Sequence, residues 1–209
     1  MARVLPRNEV ALDSPDGQDS RVSEIRPAEN ADAARWLLRP DVTWWDLVTF
    51  GPPDFDAYVR IAFPDETEAP DETDEVDVVG AALATLTAYT TTPDAAYAAI
   101  WEGWAGIDPP VAPRVDIPHR AMLLFAGPVE ALRNAAGVAW FGTAAGDLQE
   151  PHLVWPADQA WCLACEVDEE IEFTVGCSSA AYQGLVEALP GALRRVQYGD
   201  PVPTHRDEQ

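Results

Sequence analysis

The sequence predicts an α+β fold: a largely antiparallel sheet with three to five helices packed on it, in a single domain. Three observations point there. Short apolar runs lie next to one another in the chain, separated by tight turns. Helical stretches fall between them irregularly, not after every strand as regular βαβ winding requires. The length of 209 residues suits one domain with tails.

Residues 1–27 mix Pro, Asp, Ser, Gln and Arg without hydrophobic periodicity, so they read as a disordered tail. The domain is placed at 28–200. A short helix is expected over Asp32 to Leu38, with Asp32 as its cap and Pro40 soon after its end. Thr43 to Phe50 reads as a strand, Gly51-Pro52-Pro53-Asp54 as a turn and Ala57 to Phe63 as a second strand. Residues 65–77 hold eight carboxylates in thirteen positions and read as an acidic linker or insertion loop. Val78 to Tyr89 has helical spacing, with Val79, Leu83 and Leu86 on one face.

Asp94 to Trp104 fits a helix face or an extended run. Gly103 and Gly106 favour a strand over Tyr97 to Trp101. Ala121 to Phe125 is a short apolar strand, and Gly127-Pro128 opens a helix running to about Ala135. Val138 to Phe141 is a further apolar stretch. Trp155-Pro156-Ala157-Asp158 is read as a turn. Trp161 to Val167 alternates, placing Trp161, Leu163, Cys165 and Val167 on one strand face. Asp168 to Glu170 turns the chain into a return strand, Ile171 to Val175. Ser178 or Ser179 then caps a helix to Leu189 that Pro190-Gly191 stops. Arg194 to Tyr198 is a final strand, and residues 201–209 are a second disordered tail.

Composition excludes several chemistries. The chain has no lysine: its thirteen basic residues are all arginine, against thirty-six Asp plus Glu, for a formal net charge of −23. There is accordingly no phosphate-loop lysine, Schiff-base lysine or Ser–Lys pair. The charge argues against nucleic-acid and anionic-membrane partners, which need basic patches. No apolar run reaches the roughly 18 residues of a membrane span. Three cysteines make no disulfide framework, and a cytoplasmic location is expected.

The blocks Trp155-Pro156-Ala157-Asp158-Gln159-Ala160-Trp161-Cys162, Glu166-Val167-Asp168 and Val175-Gly176-Cys177-Ser178 carry a resemblance. Together with Gly51-Pro52-Pro53, Ala57 to Ile61, Trp101-Glu102-Gly103-Trp104 and Leu123 to Pro128, they resemble a family of uncharacterised actinobacterial proteins. A WPADRAW-like turn and a VGGS-like strand end mark that family. The resemblance covers roughly residues 44–198 and implies no particular activity. The chain departs from the pattern at Cys177, where the family has glycine.

Candidate sites follow from residue types. Cys162-Leu163-Ala164-Cys165, with Cys177 and His152, could supply zinc ligands. Residues three apart on a strand face opposite sides, however, so a core role is favoured and no metal or cofactor is expected. Val175 to Ser179 could cradle an anion, but helix capping alone explains it. Asp116, His119 and Arg120 form one acid–base cluster, and Asp147, Glu150 and His152 a second. Neither has a nucleophile at motif spacing, so no catalytic residue is assigned. Trp44, Trp104 and Trp155 stand beside turns or in a Trp pair, where exposed rings would mark a binding surface.

Two functions compete. One is an acidic interaction or regulatory protein, inhibitor- or immunity-like, that binds a basic protein partner through residues such as Glu169 and Glu170. The other is a small-molecule or carbohydrate binder, or a hydrolase, using a Trp-lined groove and carboxylates.

Overall fold

The structure, a computed structural model, describes residues 25–63, 78–103, 111–132, 152–169 and 171–203. It is α+β: nine antiparallel strands form one sheet, with four α-helices among the described residues. The strands are β1 (Arg26–Pro27), β2 (Ala57–Ala62), β3 (Ala96–Trp101), β4 (Arg114–Val115), β5 (Met122–Gly127), β6 (Leu153–Pro156), β7 (Trp161–Ala164), β8 (Glu172–Cys177) and β9 (Leu193–Val196). Their order across the sheet is β1-β5-β3-β6-β7-β8-β2-β9, and β4 shares the β1 side of β5. The helices are α1 (Trp44–Phe50), α2 (Val78–Leu86), α3 (Val129–Leu132) and α4 (Ser179–Ala188). Among the described residues no helix is long and apolar enough to cross a membrane.

Side-chain alternation divides the core in two. Val59, Ile61, Ala98, Ile100, Phe125, Val154, Trp161, Leu163, Phe173 and Val175 face one way, where α2, α3 and α4 cover them with Val79, Leu83, Leu132, Ala181 and Leu185. Ala99, Met122, Leu124, Leu153, Trp155 and Cys162 face the other way, beneath the segment from Ala28 through Val48. The Trp161 indole N–H donates to Leu86 O at 3.0 Å, tying the sheet to the end of α2. The expected face of the 161–175 hairpin is present: Trp161, Leu163, Cys165, Phe173 and Val175 share one core with Leu185, Leu189 and Tyr182.

Several expectations are corrected. Thr43 to Phe50 is not a strand. Thr43 Oγ1 accepts from Asp46 N at 3.0 Å, which caps the helix α1. The segment after Asn30 is a 3-10 turn, Asp32–Ala34, and Asp32 is not its cap; Asp32 N donates to Asn30 Oδ1 at 2.8 Å. The tail expected to end at 27 is cut short, because Arg26 and Pro27 pair with Ala126 and Phe125. Trp155 and Pro156 belong to β6, and the turn begins after them. The strand β7 stops at Ala164, and β9 runs Leu193–Val196, so Val167 and Tyr198 lie outside strands. The acidic loop 65–77, the stretch 138–141, most of both tails, and residues Trp104, Asp147, Glu150 and Glu170 lie outside the described residues.

Candidate functional site

Three elements meet at one end of the second core. The strand β3 ends at Trp101, the loop between β4 and β5 carries Asp116 to Arg120, and the first turn of α1 delivers Trp44. Arg120 lies at their junction. Its guanidinium carbon is 5.6 Å from the centre of the Trp44 ring and 5.7 Å from that of Trp101. Such cation–π contacts contribute about 0.5–2 kcal/mol each. Arg120 also donates to Glu166 Oε1 at 2.6 Å and approaches Asp168 Oδ2 at 3.3 Å. Glu166 is buried, and its other oxygen accepts from Asp168 N at 2.7 Å, so this carboxylate is fully engaged.

His119 precedes this arginine in the left-handed region, at φ 65°. That conformation is uncommon for a residue with a Cβ. It sets the imidazole edge-on to Trp44, with ring centres 5.2 Å apart. Trp44 in turn meets Trp45 at 5.6 Å, and Trp45 is 38% exposed. Beside these rings opens a cleft of about 530 Å³ lined by Trp101, Glu102, Arg114, Asp116 and His119. Arg114 bridges the two acids there, 2.9 Å from Glu102 and 2.8 Å from Asp116. The cleft therefore offers ring surface, two carboxylates and a guanidinium, all reached by solvent.

His152 lies behind the Trp101 wall. Its Nδ1 accepts from Trp101 N at 3.1 Å. Burial, reinforced by the Arg120 charge, pushes the imidazole down to about 3, so it is neutral at pH 7. It holds the end of β3 in place and does not face the cleft as a base.

Of the ligand- or partner-binding candidates Trp44, Trp104, Trp155, Asp116, His119, Arg120, Glu169 and Glu170, it is Trp44, Asp116, His119 and Arg120 that converge here. Trp155 does not. It is fully buried in the second core, stacked on Tyr97 at 5.8 Å and edge-on to Trp36 at 6.3 Å, so it packs the core and lines no surface. Glu169 also departs from its expected place on an exposed acidic turn. Its side chain is buried, with Oε2 2.7 Å from the Arg60 guanidinium. Trp104 and Glu170 fall outside the described residues. Trp101, Glu102, Arg114 and Glu166 were not singled out. Alternation along β3 puts Trp101 on the Tyr97 and Ala99 side, a signal that was available.

Cys162, Cys165 and Cys177 are all buried. Cys162 faces the second core, and Cys165 and Cys177 face the helix-covered one, so the pair spaced three apart diverges across the sheet. Burial raises the Cys162 thiol and pushes Cys177 up to about 12, with Asp56 adding to the latter. Both are protonated and poorly nucleophilic at pH 7. Among the described residues no group of three or more His, Cys, Asp or Glu could hold a metal ion. Comparison of the chain with protein-family profiles, with curated proteins and with solved structures finds no match in any of the three.

Proposed function

We propose that the chain is a recognition module that takes a small polyhydroxylated ligand, of the sugar class, in the His119 cleft. The observation that carries this reading is the convergence of Trp101, His119, Glu102 and Asp116 around one open cleft, with Trp44 packed behind His119 and Arg120 fixing the rings. A sugar presents an apolar C–H face and a rim of hydroxyls. The Trp101 ring suits the first, and Glu102, Arg114 and Asp116 suit the second. The competing reading, an acidic face for a basic protein, loses its best-placed residue, since Arg60 engages Glu169 inside the fold.

The test is titration with a set of mono- and disaccharides, read by tryptophan fluorescence and by amide shifts. Binding is expected near the millimolar range, about −4 kcal/mol, with shifts grouped around Trp101 and His119. The exposed change Asp116→Ala should weaken it about tenfold, or roughly 1.4 kcal/mol, without altering the melting temperature. Shifts scattered over the surface, or the same affinity in Asp116→Ala, would sink this reading.

A further inference from the structure

We propose that a second cleft, at the other end of α1, is a binding site for an organic cation of the alkylammonium or guanidinium class. This cleft, of about 590 Å³, lies beside the edge strand β9 and is lined by Phe55, Tyr58, Tyr198, Asp56, Asp200 and Arg195, among others. It is distinct from the His119 cleft and does not depend on the reading given to that one.

The lining rings are locked together. Tyr58 and Tyr198 lie 5.2 Å apart at 60°, Phe55 and Tyr58 lie 6.0 Å apart at 74°, and Phe50 supports Tyr198 at 5.5 Å. Both phenols are pinned by hydrogen bonds into the Gly51–Pro52 turn: Tyr58 donates to Pro52 O at 2.8 Å and Tyr198 to Gly51 O at 3.2 Å. Gly176 completes the arrangement, since a Cβ there would come within 2.5 Å of the Phe55 ring. A corner of fixed rings is what a cation–π site requires, because no ring entropy is lost on binding.

The surroundings are negative. Asp56 and Asp200 stand on the rim, both exposed, and each uses one oxygen on a backbone N–H, of Ser179 and of Gln197. Asp46 adds to burial in raising the Tyr198 phenol, so its field reaches the ring, while Arg39, paired with Asp41 at 2.7 Å, opposes it. Among the described residues the cation in the lining is Arg195, whose guanidinium carbon is 5.2 Å from the Tyr182 ring on α4. Tyr182 packs on the helix-covered core, whereas Tyr58 packs with Phe50 and Val196, so Arg195 leans toward the other face of β9. Aromatic surface and unneutralised carboxylates together select positive charge on an apolar body.

The cation could be free or a side chain on a basic peptide, and the experiment separates the two. Amide and side-chain shifts of the full chain are followed against tetramethylammonium chloride, against an arginine-rich nonapeptide, and against tert-butanol as a neutral shape control, at constant ionic strength. Saturable shifts at Tyr58, Gln197 and Tyr198 are expected, with tert-butanol at least tenfold weaker than tetramethylammonium. Binding of tetramethylammonium identifies a free cation as sufficient; binding of the peptide alone identifies the side-chain source. The double change Asp56→Asn with Asp200→Asn keeps both acceptor oxygens and hence both backbone hydrogen bonds, and should weaken the cation about tenfold. Tyr198→Leu, checked by its melting curve, is the second variant and should do the same. Equal binding of cation and neutral control, no saturable binding of either cation, or indifference to both variants would overturn the proposal.

Discussion

Arg60 is 1% exposed, on the strand β2 just inside the β9 edge of the sheet. It faces away from the helices, with Nη1 on Thr174 Oγ1 at 3.1 Å, Nε on Glu172 at 3.1 Å and Nη2 on Glu169 at 2.7 Å. Burial holds the Glu169 carboxyl above its ordinary range despite Arg60 beside it. The pair is thus costly to bury and costlier to break. Glu169→Ala should lose about 3–5 kcal/mol in urea melts, because Arg60 is left short of a counter-charge. An acid exposed on a turn would cost under about 0.5 kcal/mol. Nothing in the Asp168–Glu170 run announces that the middle acid turns inward; only the pairing of β2 with β8 brings Arg60 to it. His152 belongs to the same class of hidden residue. Its imidazole is held near 3 in the fold against 6.5 when exposed. The unfolded chain therefore takes up a proton as pH falls below about 6.5, while the folded chain does not. Stability should drop by about 2 kcal/mol between pH 6.5 and 5, and continue falling toward pH 3. His152→Asn keeps an acceptor for Trp101 N and should flatten that slope; an unchanged slope would mean other groups dominate.

Helix α1 joins the two clefts. Trp44 at its start touches His119 and Arg120, and Phe50 at its end touches Tyr58 and Tyr198. Six residues of rise separate them, about 9 Å. So short a helix has little stability of its own and depends on its cap and its packing. Thr43 Oγ1 accepts from Asp46 N and donates to Asp46 Oδ2 at 2.8 Å. Thr43→Ala should cost about 1 kcal/mol and Thr43→Ser almost nothing, measured by chemical denaturation. Any ligand at either cleft should bind more weakly to Thr43→Ala. The reading of this stretch as a strand weighed its Trp, Val, Thr and Phe content. Thr43 followed by Asp46 is a capping signature that was visible and overrides that content. Ser178 carries the same signal before α4: of the two candidates, Ser178 and Ser179, it is Ser178 whose Oγ accepts from Ala181 N.

How much of the fold is legible in the sequence depends on the length of each element and the turn signals around it. The hairpin of β7 and β8 with α4 showed its alternation and its 3.6-residue period over enough positions to be read. The strands β1 and β4 have two residues each, too few to display a period, and β6 ends in Trp155-Pro156, whose proline reads as a turn, so these parts of the sheet are not legible in the sequence. What the sequence states for the whole molecule is its charge. A net −23 is self-repelling, and repulsion destabilises the compact state most when salt is low. Salt also weakens ion pairs, among the described residues those of Arg35, Arg39, Arg114 and Arg194 at the surface. Exposed pairs contribute about 0–1 kcal/mol each, and the buried links of Arg60 and Arg120 are screened little. Long-range repulsion among more than twenty uncompensated charges is screened across the whole surface, since the Debye length shrinks from about 30 Å at 0.01 M to about 3 Å at 1 M salt. Repulsion should therefore win. The melting temperature at pH 7 should rise with sodium chloride from about 0.01 M and level off below about 1 M, as the Debye length falls under the spacing of neighbouring charges. Potassium chloride should act equally, because the effect is screening and not site binding. A melting temperature that falls with salt would show that the surface ion pairs outweigh the net charge.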